Sequence, residues 1–385
     1  MFEYIRLPKL AKNQFKQDKK RQLQPDCGPD AAIHAGIEWL CRAQDCSKSN
    51  DGGVARDYSF ITGWATSYPE TTGYIIPTFI EYANIFKSDD ALRRAKKMLD
   101  WIVSIQFPDG GFQGGKVDAI PKVPVTFNTG QILLGLVDGQ IEFGCYSSNV
   151  EKAANWLRDS IDEDGCWRKH PTPFAEQGEK SYETHVAWSL FEAAKIYPNN
   201  GYGEAGLKQV DWALKNQRDN GWFEKCCLNM PVSPLTHTIG YALRGILEAY
   251  EYSNDQKYLE ACLKTAEPLV KLLSPEGVLQ GRYDSNWNPT VEWACLTGIV
   301  QISYCWLRLY EIINYRPFYE GGLAANKFVR KTIVIGENKD ISGGVKGSYP
   351  VHGDYGRYEL LNWSVKFSID ANMQELRVKG KYQTS

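Results

Sequence analysis

Apolar positions recur in two patterns along the chain. Six stretches (30–42, 91–105, 150–158, 203–216, 256–273 and, less sharply, 321–334) keep apolar residues on one helical face and polar residues on the other. In LKQVDWALKNQ, for example, Leu207, Val210, Ala213 and Leu214 hold the helical spacing. Six further stretches start near Thr72-Gly73, Thr129-Gly130, Thr184-His185, Thr238-Ile239, Thr297-Gly298 and Asn362-Trp363 and are apolar almost all round. That is the pattern of helices buried on every side. Thr or Asn near these starts is expected to cap the helices, and the small glycines to let neighbouring helices approach closely.

Between the two kinds of helix lies a repeated turn: QDCSKSNDGGV, QFPDGGF, DEDGCW, QRDNGWF, SPEGVL and DISGGV. Its glycines Gly52, Gly110, Gly165, Gly221, Gly277 and Gly343 are 58, 55, 56, 56 and 66 residues apart. The starts of the apolar helices step in register with them, by 54 to 65 residues. A step this regular marks an internal repeat. Each unit is an amphipathic outer helix, a turn, a loop of about 15 to 25 residues and an apolar inner helix. One helical pair cannot hide its inner member, but six can if they close into a ring. The expected fold is therefore an all-α (α/α)6 toroid over residues 30–376, with a basic tail at 1–29 and a polar tail at 377–385. All six long loops then lead to one mouth, and loops of that length are usually functional. The same end gathers six helix N-termini, which favour anionic ligands.

Composition narrows the partners. With 44 Lys+Arg against 46 Asp+Glu, no overall field draws the chain to nucleic acid. No apolar run approaches the roughly 18 residues of a membrane span, so stable membrane insertion is not expected. Residues 1–24 carry a local excess of five positive charges, expected as a solvated tail over the outer helices. MFEYIRLPKLAKNQFKQ lacks the apolar centre of an export signal, so a cytoplasmic protein with its ten cysteines reduced is expected. There is neither a CxxC nor an HExxH pattern, and the adjacent Cys226-Cys227 needs further zinc ligands from elsewhere. No metal or cofactor is expected.

The turns and the repeat resemble the α/α-toroid superfamily, which includes terpenoid cyclases, protein prenyltransferase β-subunits, six-hairpin glycosidases and polysaccharide lyases. The resemblance spans about residues 30–372. It implies the fold, with the turn as a structural device whose aromatic packs between helices and whose Gln and Asp hold helix ends. The acidic DxDD motif of triterpene cyclases is absent, as is the Asp, Cys and His setting of the prenyltransferase zinc. PLTHTIGYALRGILEAY and CLTGIVQISYCWLRLY are also similar to segments of uncharacterised bacterial proteins from surface-polysaccharide gene clusters.

The residues just before the inner helices are the candidates for chemistry. Glu70, Glu183, Glu292, His185, His237 and Tyr182 are the acid–base candidates. Tyr68, Trp64, Asn128, Arg56, Arg282, Trp287, Trp293, Asn362 and Trp363 are candidate substrate contacts. Aromatic faces with amides and carboxyls suit a saccharide, so a carbohydrate-active enzyme is the leading expectation. A glycosidase would pair Glu70 with Glu292 or Glu183. A uronate lyase or epimerase would use His237 or Tyr182 as base, with Asn128 and an arginine at the developing enediolate. The competing expectations are an isoprenoid enzyme, marked by deep apolar walls, and a non-catalytic glycan-binding toroid. Each candidate also has a plain structural reading, as a helix cap, a packed ring or a surface ion pair.

Overall fold

The computed structural model describes residues 2–380. After two N-terminal helices, α1 (Phe2–Arg6) and α2 (Lys9–Lys19), come α3 (Pro29–Asp45), α4 (Pro69–Phe86), α5 (Asp89–Ser104), α6 (Thr126–Phe143) and α7 (Ser147–Ser160). They are followed by α8 (Thr184–Ile196), α9 (Tyr202–Leu214), α10 (Thr236–Ser253), α11 (Gln256–Leu272), α12 (Leu296–Ile313), α13 (Arg316–Arg330) and α14 (Asn362–Val378). The even-numbered helices from α4 to α14 form an inner ring in which each touches the next and α14 returns to α4. The odd-numbered helices from α3 to α13 lie outside it, as their amphipathic patterns require.

The closest pairings run from an inner helix to the outer helix that follows it, α4 with α5 through α12 with α13. The first outer helix, α3, packs instead on the last inner helix, α14, and so closes the ring. Antiparallel strands repeat the closure at the mouth, where Asp57–Ser59 lies between Gly63–Trp64 and Glu359–Leu361. Trp39 and Trp306 are wholly buried between the two rings, and each indole N–H donates to a backbone carbonyl, Asp340 or Ala266.

The DG turns do what the repeat implies. Every one of the six turn glycines has positive φ, from 84° to 106°. A Cβ on Gly110, Gly165, Gly221, Gly277 or Gly343 would lie within 2.3 Å of a backbone oxygen on a neighbouring outer helix. Each of these turns thus docks backbone-to-backbone on its neighbour. Gln44 and Gln106 donate to the carbonyls of Gly52 and Gly110, at 2.9 and 3.0 Å. Asp51, Asp109 and Asp164 accept backbone N–H bonds two residues on.

The inner-helix glycines also act as expected. A Cβ on Gly135 would stand 2.2 Å from the Gly73 carbonyl, and one on Gly245 would stand 2.1 Å from the Thr184 backbone. The threonines differ from expectation, because helices α4 and α6 begin three residues earlier than Thr72 and Thr129. Their hydroxyls do not cap. They accept the N–H groups of Val54 and Phe112 at 3.0 Å, pinning each turn segment to its inner helix.

The basic N-terminal segment is not a solvated tail. Asp18 is buried, accepts from Lys346 Nζ and the Val351 N–H at 2.8 Å each, and fixes α2 to the loop before α14. Asp26 pairs with Arg330 at 2.7 Å. The helical pattern of residues 9–19 carries this docking, which net charge alone obscured. Residues 377–378 complete α14, and 381–385 lie outside the described residues.

All six long crossovers (46–68, 105–125, 161–180, 215–235, 273–295 and 331–361) lead into inner-helix N-termini. They build the single mouth that the repeat predicts. The other end has only short turns, several closed by left-handed caps at Lys87, Gly144, Asn254 and Asn314. No helix among the described residues is long and apolar enough to cross a membrane, and all ten cysteines are unpaired.

Candidate active site

The mouth narrows to a cavity of about 400 Å3 on the toroid axis. Glu70, on the first turn of α4, lies at its wall and is 8% exposed. Its Oε2 accepts two hydrogen bonds, from the Tyr68 hydroxyl at 3.0 Å and from the Asn128 amide at 2.9 Å. Both donors point at one oxygen, so a proton on this carboxyl belongs on Oε1. Burial pushes the group up to about 7, although the Tyr68 hydrogen bond and Arg56 pull the other way. Glu70 therefore holds its proton through much of the neutral range.

His237, on the first turn of α10, lines the same cavity and is 4% exposed. Its Nδ1 lies 2.7 Å from Gln301 Oε1 on α12. An oxygen facing Nδ1 requires the proton there, which leaves the Nε2 lone pair free as an acceptor. Burial lowers the imidazole to about 4, so it is neutral at ordinary pH. One cavity thus carries a protonated carboxyl and a neutral base.

The walls are aromatic. Tyr68, Tyr74, Phe127, Phe174, Tyr182, Tyr241, Tyr355 and Trp363 contribute rings. Tyr241 lies against His237 with centroids 4.3 Å apart, and Trp363 Nε1 donates to the Tyr355 hydroxyl at 2.8 Å. Burial holds the Tyr68, Tyr74, Tyr182, Tyr241 and Tyr355 hydroxyls well above their ordinary pKa, so they serve as neutral donors and acceptors. The Tyr74 hydroxyl is buried beside that of Tyr241. At the rim Arg56 pairs with Asp57 at 2.6 Å and Glu359 at 3.0 Å, and its guanidinium sits 5.1 Å over the Trp363 ring. Lys116 also lines the rim.

The candidates read from the sequence separate cleanly. Glu70, His237, Tyr182, Tyr68, Asn128, Arg56 and Trp363 line the cavity. Glu292 is exposed and outside it, so Glu70 and Glu292 do not form a pair. Glu183 is buried behind the wall, where Oε2 has no hydrogen-bond partner and burial raises the carboxyl to about 8. His185 is 1% exposed, bonds Gln131 Oε1 through Nδ1 at 2.7 Å and packs against Tyr241 rather than facing the cavity. Tyr182 lines the cavity, but its burial opposes the phenolate that a base would require.

The remaining candidates are structural. Arg282 is 2% exposed and clamps the loop before α10 through the Ser233 carbonyl at 2.8 Å and Asn229 Oδ1 at 3.0 Å. The Trp64 indole donates to Asp340 at 3.1 Å, and that of Trp287 donates to the Asn220 carbonyl at 2.9 Å. Trp293 is wedged against Gly281 and Gly353, where no Cβ would fit. Asn362 donates to the Ala55 carbonyl and Thr71 Oγ1 at 2.9 and 2.8 Å, joining the last inner helix to the first crossover and to α4.

Tyr74 and Tyr241 were not among the candidates, yet they stand four residues after Glu70 and His237. The i,i+4 neighbours of a mouth residue face the same cavity one turn deeper, and that spacing would have found them. Tyr355, Lys116 and Phe174 come from crossovers that have no period to read. Among the described residues, no group of three or more His, Cys, Asp or Glu could hold a metal ion.

Solved structures share this architecture over nearly their whole length. An unsaturated glucuronyl hydrolase specific for heparin aligns with TM-score 0.71 at 13% identity, over 91% of this chain and 98% of that one. The cellobiose 2-epimerase of Bacillus thermoamylovorans aligns with TM-score 0.68 at 12% identity, over 94% and 98%. This chain is an α/α toroid. An α-1,6-mannanase of Salegentibacter sp., in an inactive variant bound to α-1,6-mannotetrose, aligns with TM-score 0.63 at 10% identity, over 90% and 99%. At these identities the likeness establishes the toroid fold. No family model matches the sequence, and no curated protein matches it.

Proposed function

We propose that the toroid mouth is the active site of a carbohydrate-active enzyme that moves a proton at a sugar carbon. The observation that carries this reading is the pairing of Glu70 and His237 in one aromatic cavity, the carboxyl raised to about 7 and the imidazole lowered to about 4. Groups whose environments push their pKa values apart in this way are suited to opposite halves of an acid–base step. The aromatic walls suit the CH faces of a pyranose, and the named toroid neighbours act on glycans.

In the proposed step, His237 Nε2 takes the proton from the carbon next to a carbonyl or uronate carboxylate. The C–H electron pair moves into the adjacent carbon–carbon bond, and the former carbonyl oxygen receives a hydrogen bond or the proton from Glu70 Oε1. Asn128 and Tyr68 hold Glu70 in place from its other oxygen. If the intermediate turns its other face to His237, return of the proton from Nε2 gives an epimer; if instead the C–O bond to a β-substituent breaks, the departing oxygen takes that proton and an elimination product forms. A two-carboxylate hydrolysis has less support, because neither Glu183 nor Glu292 reaches the cavity. The isoprenoid reading also has less, because carboxyl, imidazole, amide and phenol groups punctuate the aromatic wall.

Incubation in D2O with a panel of uronate-containing oligosaccharides and reducing disaccharides tests the reaction. Deuterium appearing by NMR at the carbon next to the carbonyl or carboxylate of one of them is the expected result. A new reducing end without deuterium would replace the proposal with hydrolysis, and tight binding without any turnover would replace it with a glycan-binding toroid.

A further inference from the structure

The six crossovers around the mouth are joined to one another all the way round. The Val117 N–H donates to the Ser67 carbonyl at 2.9 Å, tying the second crossover (105–125) to the first (46–68). The Glu176 N–H donates to the Leu228 carbonyl at 2.9 Å, tying the third (161–180) to the fourth (215–235). The Arg282 guanidinium reaches the Ser233 carbonyl at 2.8 Å and ties the fifth (273–295) to the fourth. Strand pairing closes the next two seams, Ala294–Cys295 with Ser348–Tyr349 and Asp57–Ser59 with Glu359–Leu361. The seam between the second and third is covered by the Phe174 ring, which lies so close to Gly115 that a Cβ there would stand 2.6 Å from Phe174 Cε2. All the crossovers except 273–295 line the cavity inside this collar, and that one backs the wall through Trp293, wedged against Gly353.

The floor is closed as well. The buried rings of Tyr74, His185, Tyr241 and Phe367 pack across the toroid axis about one turn below the mouth residues. Tyr241 lies 4.4 Å from His185 and 6.0 Å from Phe367, and Phe367 lies 5.4 Å from Tyr74, centroid to centroid. Among the described residues, none that lines the mouth cavity also lines the cavity at the other end of the axis. To bring an internal residue to Glu70 and His237, a polymer has to enter the cavity and leave it again, which takes two openings. A socket bounded at the side and below offers one. Its volume, about 400 Å3, is also small for a ligand site and leaves room for a short saccharide end only.

We propose that the mouth is end-selective. It takes the terminal residue of a saccharide, a reducing-end aldose or a terminal uronate, and does not act on residues within a chain. This inference rests on reading the mouth as a saccharide site.

The probes that test it are cello-oligosaccharides and oligogalacturonates, each from disaccharide to hexasaccharide, and polygalacturonate of defined chain length. The full-length protein is incubated with each in D2O, and tandem mass spectrometry locates the deuterium. Label on one terminal residue only, at a rate per mole of chains that does not rise with length, is the expected result. Calorimetric titration with the same probes is expected to give one protein molecule bound per chain at every length, with an affinity that stops rising once the chain outgrows the cavity. Deuterium in internal residues, or several protein molecules on one polygalacturonate chain, would overturn end selection and leave saccharide binding at the mouth standing. One protein molecule per chain without any exchange would uphold end selection and overturn the proposed reaction. Absence of binding to every probe would overturn both.

Discussion

Glu70→Gln is expected to slow deuterium wash-in by roughly 10²–10⁴-fold, the range for loss of a positioned acid or base. The substitution keeps the shape and an oxygen for Tyr68 and Asn128 while removing the proton that Oε1 delivers. Catalysis needs Glu70 protonated and His237 neutral. The rate should therefore rise with pH through about 4, where His237 loses its proton, and fall through about 7, where Glu70 loses its own. In Glu70→Gln the residual rate should lose the fall near 7 and keep the rise near 4. His237→Gln should do the reverse. A profile unchanged in shape would show that these two groups do not set it, whatever happened to the rate.

The second large effect is on the fold. Gly221→Ala should destabilise the protein by about 3 kcal/mol or more in urea denaturation, through an unfavourable left-handed φ and a forced displacement of α11. Gly221 has a φ of 84°, and its added Cβ would stand 2.0 Å from the Lys264 carbonyl oxygen. Gly52→Ala is the internal comparison, since Gly52 has a φ of 101° but its Cβ would meet nothing closer than 3.5 Å. That change should cost only about 1–2 kcal/mol. Equal losses at the two positions would mean that backbone conformation alone, and not the docking of the turn on the next helix, explains the repeated glycine.

These two predictions draw on features of unequal visibility in the sequence. The turn glycines were legible because one geometric requirement recurs six times, and a recurring requirement leaves a period. The ring followed from it, since an inner helix apolar all round has to be surrounded. Helix pairing was less legible. The long crossover and the short turn both join an inner to an outer helix, and only the short turns at the far end hold the two tightly together. Closure of α3 on α14 leaves no local signal at all, because its partners stand more than 300 residues apart, as Gly36 and Ile369 do.

The site divides along the same line. Glu70, Asn128, Tyr182 and His237 were found because helix starts can be placed from the sequence, and the ring brings those starts together. Glu292 and Trp293 precede an inner helix by several residues more, and that short distance carries them out of the cavity. Arg282, Trp64 and Trp287 belong to crossovers whose paths depend on hydrogen bonds to distant backbone, so residue type could not separate a ligand contact from a clamp. Burial likewise distinguishes His237 from His185. Both bond a glutamine through Nδ1 and both pack on Tyr241, but only His237 borders open space.

Crystals of the Glu70→Gln protein soaked with the saccharide that exchanges deuterium test the central assignment most directly. A sugar ring lying against Trp363, Tyr241 or Phe127, with a reacting carbon near His237 Nε2 and an oxygen within hydrogen-bonding distance of position 70, is the predicted result. Sugar density elsewhere on the protein, with water alone in the mouth cavity, would contradict it.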